Sequence, residues 1–350
     1  FMSRSVNIGG VLVGSGALVA VQSLTTTPTC DVSATLAQIG RLFEAGCEIV
    51  RVAVRDEKDA RAIRAIRDAS PIPVVADIHF SAKLAVLAIE SGADKVRVNP
   101  GNIGGEADIR TVADCIRAHH IPVRVGANTG SIEKSFLEKY GRSAPALVES
   151  ALYNVSVLEK YGVEDVVISV KASSVPLTVE AYRLLAGRTD HPLHVGVTEA
   201  GTHESGVVKS AVGIGALLLD GIGDTIRVSL TDDPVQEIYA AERILRACGL
   251  RREFVEVVSC PTCGRCEWDC MPLAQEVEKL TFGVHKKCKI AVMGCVVNGP
   301  GEAKDCDLGI AGGKDTCVLF RYGERVRNIP AKDAREEFLK EVSALLRDKE

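Results

Sequence analysis

Three cysteines and one glutamate in the last third of the chain have the types and spacing of a metal-cluster site. Cys260 and Cys263 form a Cys-x-x-Cys pair, and the Asn-Gly-Pro-Gly sequence at 298–301 separates Cys295 from Glu302. These four turn-forming residues can fold Glu302 back towards Cys295. Thiolates hold iron strongly, whereas a carboxylate oxygen on a fourth iron is a weaker ligand that a substrate can displace. The pattern therefore indicates a cluster with one exchangeable ligand.

Two other interpretations fit the same cysteines. Cys-x-x-Cys with distant cysteines is also a structural zinc pattern. The run Cys260-x2-Cys263-x2-Cys266-x3-Cys270 follows the spacing of bacterial ferredoxins, except that Met271 precedes the proline. The Cys-x3-Cys-x2-Cys order of radical adenosylmethionine enzymes is absent from the sequence. Spacing alone leaves zinc and iron-sulfur open.

Composition excludes several classes of protein. The 350 residues are 46% hydrophobic and 25% charged, which is ordinary globular composition. No apolar run reaches the roughly 18 residues that a membrane span needs. The formal net charge of -4 argues against a general nucleic-acid binder. We expect neither membrane nor nucleic acid as a partner.

The twelve cysteines are distributed unevenly. Eight lie in the last third, whereas Cys30, Cys47, Cys115 and Cys248 are scattered and are predicted to be core thiols. A disulfide scaffold is not expected in a chain of this length without a secretory leader. The pattern favours a reducing cytoplasm and a metal site.

The first 250 residues alternate apolar, β-branched runs with segments of helical spacing. The runs are 17–23, 48–54, 73–79, 95–99, 122–128, 166–171, 193–199 and 225–230. Eight such units predict a (β/α)8 TIM-type barrel over residues 1–250, preceded by a short hairpin at 6–13. After Cys248 the pattern changes to short strands and a final amphipathic helix at 331–346. We predict a small α+β domain over residues 251–350 that carries the cluster.

Polar side chains lie within or just after the eight apolar runs. They are Arg51, Asp77, His79, Arg97, Asn99, Arg124, Asn128, Lys171, Glu199, Arg227 and Ser229. Because active sites of such barrels lie at the carboxyl ends of the strands, five cations from five strands are expected to converge. Buried cations need compensation, and a diphosphate would supply it. The alternative is that each cation reaches solvent or pairs with Asp77 or Glu199.

Ten ordered motifs give the chain a resemblance to the bacterial 4-hydroxy-3-methylbut-2-enyl diphosphate synthase family. They are VQSLTTT from Val21, IVRVAV from Ile49, ADIHF from Ala76, VRVNPGNIG from Val96, VRVGANTGS from Val123, SVKAS from Ser169, VTEAG from Val197, GDTIRVSL from Gly223, SCPTCGR from Ser259 and GCVVNGPGEA from Gly294. They span nearly the whole chain.

The resemblance implies a reductive step of non-mevalonate isoprenoid synthesis. The expected reaction opens 2-C-methyl-D-erythritol 2,4-cyclodiphosphate and removes a hydroxyl as water with two electrons, which ferredoxin or flavodoxin donates. The resemblance assigns a 4Fe-4S cluster to Cys260, Cys263, Cys295 and Glu302, and leaves Cys266 as a bystander. It assigns the substrate to Arg51, Asp77, His79, Arg97, Asn99, Arg124, Asn128, Lys171, His194, Arg227 and Ser229.

The remaining expectations concern proton delivery and assembly. Glu199 is our candidate for delivering the proton to the leaving hydroxyl, beside the catalytic ligand Glu302. The family also implies a head-to-tail homodimer in which one subunit's cluster domain caps the other's barrel. Two further function classes remain: a barrel hydrolase or aldolase with a structural zinc domain, and a non-catalytic iron-sulfur carrier.

Overall fold

The computed structural model describes residues 2–295, 301 and 305–347. The chain divides into two compact units, Phe1–Leu250 and Arg251–Glu350. Within the described residues, every helix is too short or too polar to span a bilayer.

The first unit is a barrel of parallel strands, as the alternating pattern predicts. It opens with an antiparallel hairpin of β1 (Val6–Ile8) and β2 (Val11–Val13). The eight barrel strands are β3 (Ala20–Leu24), β4 (Ile49–Ala53), β5 (Val74–Asp77), β6 (Lys95–Arg97), β7 (Val123–Asn128), β8 (Val166–Lys171), β9 (His194–Val195) and β10 (Thr225–Ile226). They pair in the order β8-β7-β6-β5-β4-β3-β10-β9. A parallel bridge between Ile168 and Leu193 brings β8 beside β9 and nearly closes the ring.

The hairpin plugs the amino-terminal end of the barrel. Its inward side chains Val6, Ile8 and Val13 form one apolar cluster with residues at the starts of four barrel strands, namely Ala20, Ile49, Val75 and Val167. These side chains are buried. The carboxyl ends of the strands lie at the opposite end, where the polar residues gather.

Helices surround the barrel, and short polar side chains begin many of them. The helices are α1 (Val32–Glu44), α2 (Glu57–Ala69), α3 (Ala82–Glu90), α4 (Glu106–His119), α5 (Lys134–Tyr140), α6 (Ala144–Lys160), α7 (Val175–Ala186), α8 (His203–Leu219) and α9 (Pro234–Ala247). Asp31, Asp56, Ser81, Ser143 and Ser174 each accept a backbone N–H of the helix that follows. Each such cap satisfies an otherwise unpaired donor.

The second unit is a five-stranded sheet with two helices. Its elements are β11 (Val255–Ser259), α10 (Met271–Thr281), β12 (Cys288–Met293), β13 (Leu308–Ala311), β14 (Thr316–Arg321), β15 (Glu324–Pro330) and α11 (Ala334–Arg347). β11, β12 and β13 are parallel, whereas β14 and β15 are antiparallel. The sequence predicted α11, β11, β12, β13 and β14 but missed α10 and β15.

Several barrel strands are shorter than predicted. β6 ends at Arg97, β9 at Val195 and β10 at Ile226, so Asn99, Glu199, and Ser229 lie in loops rather than in strands. A further correction concerns the scattered cysteines: Cys47 is buried, but Cys30 is exposed and is not a core thiol. Cys30 directly precedes Asp31, the N-cap of α1, and lies outside the buried faces of the strands and helices.

Candidate functional site

Asp77, the last residue of β5, organises the cations of the barrel mouth. Its carboxylate lies 3.4 Å from Arg51 Nε, 3.0 Å from Arg97 Nη1 and 3.6 Å from His79 Nε2. Parallel pairing explains the contacts, because Asp77 is in register with Arg97 on the neighbouring strand. Burial alone would raise the pKa of Asp77, but Arg51, the hydrogen bond with His79, Arg97 and Arg124 together hold it far below its usual range. Asp77 is therefore an anion that neutralises part of the site.

Arg124 and Lys171 lie deeper and have a different environment. Arg124 is 3% exposed and donates from Nη1 to Ser169 Oγ at 3.0 Å, and Lys171 is 8% exposed. Among the described residues, neither forms an ion pair with a carboxylate within 4 Å. Burial and the cations Arg124, Arg227, Arg51 and Arg97 lower the pKa of Lys171 well below its usual value. Such buried positive charge is costly until an anion enters.

Arg227 follows β10 and is held by a carboxylate that the sequence analysis missed. Its Nη2 lies 3.2 Å from Oε1 of Glu237, which is 3% exposed in the first turn of α9. Glu237 also accepts hydrogen bonds from Ser23 Oγ at 3.0 Å and from the backbone N–H of Leu230 at 3.0 Å. No local spacing links Glu237 to the mouth, so sequence reasoning had no signal for it.

Two glycines give the cations room. A Cβ on Gly196 would lie 2.9 Å from Lys171 Nζ and 2.6 Å from the carbonyl oxygen of Arg227. A Cβ on Gly126 would lie 2.7 Å from Ser169 Oγ. All three distances are shorter than ordinary contacts of a Cβ atom, so a side chain at either position would force Lys171, Ser169 or the Arg227 backbone to move.

His194 and Lys95 form a polar layer inside the barrel. His194 Nδ1 lies 2.7 Å from Thr225 Oγ1, and burial followed by Lys171, Arg124 and Lys95 lowers the pKa of His194 well below its usual value. The imidazole is therefore neutral at pH 7. Lys95 is fully buried, and sequence analysis missed it although it is two residues before Arg97 in β6 and shares its face.

The other predicted site residues do not contact the cation cluster through any hydrogen bond or ion pair in the described part of the chain. Asn99 bridges β6 and β7, because its Nδ2 donates to the carbonyl of Gly126 at 2.6 Å and its Oδ1 accepts the Gly126 N–H at 2.9 Å. Asn128 is half-buried and caps a turn with Ser131. Glu199 is exposed with φ of 51°, and Ser229 is half-buried in the loop after β10. The described residues show no ion pair of Glu199 with Lys171 or Arg227.

In the second unit, strand pairing places two predicted cluster ligands at one sheet edge. β11 and β12 are parallel with Ser259 opposite Val292, so Cys260 and the Gly294-Cys295 segment leave the sheet together. The Gly294 N–H donates to Cys260 Sγ at 3.1 Å. Cys263 is exposed, and hydrogen bonding from the Arg265 backbone lowers the pKa of its thiol.

The sulfur donors of the second unit are chemically suited to bind an iron-sulfur cluster. Cys260, Cys263 and Cys295 are all free thiols. The predicted fourth ligand, Glu302, lies outside the described residues. Across the described part of the chain, no three His, Cys, Asp or Glu side chains form a preassembled metal-ion site.

Cys266, which we interpreted as a bystander, and Cys270 both lie near Cys260. A Cβ on Gly294 would be 2.4 Å from Cys266 Sγ and 3.1 Å from Cys260 Sγ. Burial, together with the thiols of Cys266 and Cys260, raises the pKa of Cys270 to about 12. The bystander role of Cys266 stays a prediction.

Comparison with known families covers both units. The chain matches the family model described as GcpE TIM-barrel domain over residues 3–242. It matches the model described as GcpE protein C-terminal domain over residues 256–344.

Two curated relatives are similar over nearly their whole length, and both are named 4-hydroxy-3-methylbut-2-en-1-yl diphosphate synthase (flavodoxin). The protein from Caldanaerobacter subterraneus subsp. tengcongensis is 53% identical over 348 residues, which cover 99% of this chain and 98% of the relative. The protein from Geobacter sulfurreducens is 53% identical over 348 residues, which cover 99% of each.

Two solved structures align with about seven tenths of the chain. A truncated 3-deoxy-D-arabino-heptulosonate 7-phosphate synthase from Thermotoga maritima aligns with a TM-score of 0.51 at 13% identity, over 71% of this chain and 94% of that chain. Dihydropteroate synthase from Xanthomonas albilineans aligns with a TM-score of 0.50 at 14% identity, over 71% of this chain and 99% of that chain. At such identity the likeness shows the fold alone.

Proposed function

The chain belongs to the GcpE family of 4-hydroxy-3-methylbut-2-en-1-yl diphosphate synthases, and we propose that its cationic barrel mouth binds the diphosphate of the substrate. The protein is an oxidoreductase of isoprenoid biosynthesis. The substrate that we propose is 2-C-methyl-D-erythritol 2,4-cyclodiphosphate, which is opened and loses a hydroxyl as water with two electrons. The names of the relatives favour neither a zinc hydrolase nor an iron-sulfur carrier.

The observation that carries the proposal is the buried charge of Arg124 and Lys171. Asp77 pairs with Arg51 and Arg97, and Glu237 pairs with Arg227, whereas Arg124 and Lys171 have no carboxylate within ion-pair distance among the described residues. A diphosphate would supply the missing negative charge, and guanidinium groups match phosphate oxygens in pairs. In this proposal His79, Asn99, Asn128, His194 and Ser229 line the rest of the pocket.

The family implies an iron-sulfur enzyme, and we assign a 4Fe-4S cluster to Cys260, Cys263, Cys295 and Glu302. When bound, such a cluster supplies single electrons and a Lewis-acidic iron. The second unit, residues 251–350, is then the cluster domain and residues 1–250 the substrate domain. Free cysteines throughout the chain suit a reducing compartment, and we place the enzyme in the cytoplasm.

The chain's own residues would do the rest. The arginines and Lys171 orient the diphosphate, and neutral His194 can hydrogen-bond to the substrate through Nε2, which has no partner among the described residues. Glu199 is the proposed acid, and it delivers a proton to the departing hydroxyl oxygen so that water leaves. Its exposure keeps it accessible to substrate and solvent.

Two partners complete the proposal. The relatives' names include flavodoxin, which we take as the electron donor, with ferredoxin as the alternative. We also propose a head-to-tail homodimer in which the cluster domain of one subunit caps the barrel of the other.

The test is iron, zinc and acid-labile sulfide per chain in protein purified without oxygen, followed by turnover of the cyclic diphosphate with a low-potential donor. We expect close to four irons and four sulfides, as the assigned cluster requires, together with reductant-dependent product. Stoichiometric zinc without sulfide, persisting after anaerobic reconstitution, would contradict the proposal.

A further inference from the structure

Cys266 and Cys260 share the space over one glycine. Both sulfurs occupy the position that a side chain at residue 294 would take. A Cβ added to Gly294 would lie 2.4 Å from Cys266 Sγ and 3.1 Å from Cys260 Sγ. The Gly294 N–H also donates to Cys260 Sγ at 3.1 Å, which fixes that sulfur on the strand end. Two thiols from different turns are thus brought together by tertiary contacts.

The turn that carries Cys266 is tied to the end of β12. The N–H of Glu267 donates to the carbonyl of Gly294 at 3.0 Å, and Trp268 Nε1 donates to the carbonyl of Met293 at 2.9 Å. The Cys266 thiol itself donates to the Trp268 carbonyl at 3.0 Å. These bonds hold the Cys266 sulfur beside Cys260 rather than leaving it on a free loop.

Access distinguishes this pair from the third nearby thiol. Cys260 and Cys266 are half-buried, whereas Cys270 is 1% exposed. A cavity of about 260 Å³ is lined by Cys260, Thr262 and Cys270 among others. Hydrogen peroxide can reach Cys260 through this cavity, which Cys270 lines and Cys266 does not. Of the two thiol neighbours of Cys260, Cys266 has the larger exposed fraction.

We propose that Cys266 is a resolving thiol that forms a disulfide with Cys260 when the cluster is absent. The Cys260 sulfur attacks hydrogen peroxide, breaks its O–O bond and becomes a sulfenic acid with release of one water. The Cys266 sulfur then attacks the sulfenic sulfur, forms the S–S bond and releases a second water. Overall two thiols are oxidised by two electrons and one peroxide is reduced to two waters.

The consequence for the enzyme rests on the proposed role of Cys260 as a cluster ligand. Without Cys266, a sulfenic acid at Cys260 would be oxidised further to a sulfinic acid, which dithiothreitol does not reverse. With Cys266, the ligand is stored as a disulfide that a thiol reductant reopens. Cys266 thus preserves the capacity of the chain to regain its cluster.

The first experiment maps the disulfide in the full-length chain after chelation of metal, reduction and brief treatment with hydrogen peroxide. Trypsin cuts after Arg265, so Cys260 lies on residues 253–265 and Cys266 on residues 266–279. We expect a linked pair of these peptides whose fragmentation assigns Cys260 to Cys266. A link that uses Cys263 or Cys270 instead, or no link between the peptides, would refute the proposal.

The second experiment compares cluster loading before and after the same oxidation. Wild-type protein and Cys115→Ser, a matched half-buried thiol on the barrel, should regain iron and sulfide uptake after dithiothreitol. Cys266→Ser and Cys266→Ala should load normally before oxidation and lose most of their uptake after it. Full recovery in both Cys266 variants would overturn the protective role. Failure of every unoxidised protein to take up iron and sulfide would instead count against the proposed function, while the peptide map would still decide the disulfide.

Discussion

At the residue scale, two carboxylates divide the cations of the barrel mouth. Asp77 compensates Arg51 and Arg97, and Glu237 compensates Arg227. In our proposal, an incoming diphosphate compensates Arg124 and Lys171. The proposed binding site would be preorganised, because Arg51, Arg97 and Arg227 are already held by carboxylate partners.

Glu199 offers a test of proton delivery. Glu199→Gln keeps the size of the side chain but removes the acidic proton, so we expect KM to stay near the wild-type value and kcat to fall about 100-fold. Steady-state kinetics with an excess of reductant would measure both. The matched control is Glu204→Gln, an exposed carboxylate in the first turn of α8, which should retain full activity. Nearly full kcat in Glu199→Gln would end the assignment.

Glu237 offers a test of cation positioning. Glu237→Gln removes the charge that compensates Arg227, and we expect a loss of about 2 kcal/mol in the free energy of unfolding because a buried ion pair is broken. KM for the substrate should rise more than kcat falls, since Arg227 loses its fixed orientation. Urea unfolding and steady-state kinetics are the measurements.

The control for that variant is Glu180→Gln, which removes an exposed carboxylate from α7. It should change the free energy of unfolding by no more than about 0.5 kcal/mol. Equal stability of the Glu237 and Glu180 variants would show that Arg227 does not depend on Glu237.

At the element scale, the β1-β2 hairpin closes the amino-terminal end of the barrel and leaves the carboxyl-terminal end as the mouth. Ile8 is fully buried against the starts of the barrel strands, whereas Leu12 on the same hairpin is 52% exposed. These apolar side chains exclude water from the amino-terminal end of the barrel. The polar side chains of His194 and Lys95, at the level of these strand starts, are fully buried.

We expect two substitutions in the hairpin to have different effects on the free energy of unfolding. Ile8→Ala should lower the free energy of unfolding by about 3 kcal/mol, because it leaves a cavity in a closed cluster. Leu12→Ala should change it by less than about 0.5 kcal/mol. Urea unfolding of the full chain, followed by circular dichroism, would compare them. Similar small effects in both would mean that the hairpin does not stabilise the barrel.

At the scale of the whole molecule, the proposed head-to-tail dimer predicts complementation. Arg124→Met should inactivate the barrel and Cys295→Ser the cluster domain. After subunit exchange, half of the dimers are mixed and each contains one intact composite site, so we expect about a quarter of wild-type activity. Activity assays of the mixture, with native mass spectrometry to count mixed dimers, make the measurement.

The control for complementation mixes two barrel variants, Arg124→Met and Lys171→Met, which should remain inactive. If mixed dimers form from the barrel and cluster variants without any recovery of activity, each active site belongs to a single chain.

The sequence by itself determined the barrel, the five cations at its strand ends and the thiols of the second unit. These features are local, because strand and helix periodicity and the position of a residue in its strand can be counted along the chain. The same counting overextended β6, β9 and β10, since apolar residues continue past the last ladder hydrogen bond. It therefore placed Glu199 and Ser229 in strands that end before them.

Only the tertiary structure decided which charges are paired and which thiols meet. Glu237 reaches Arg227 from the next helix, Gly196 just after β9 leaves space for Lys171, and Cys266 lies near Cys260. None of these contacts follows a fixed spacing, because each depends on strand register and on the path of a turn. Packing between elements, rather than periodicity within them, sets the electrostatics of this site.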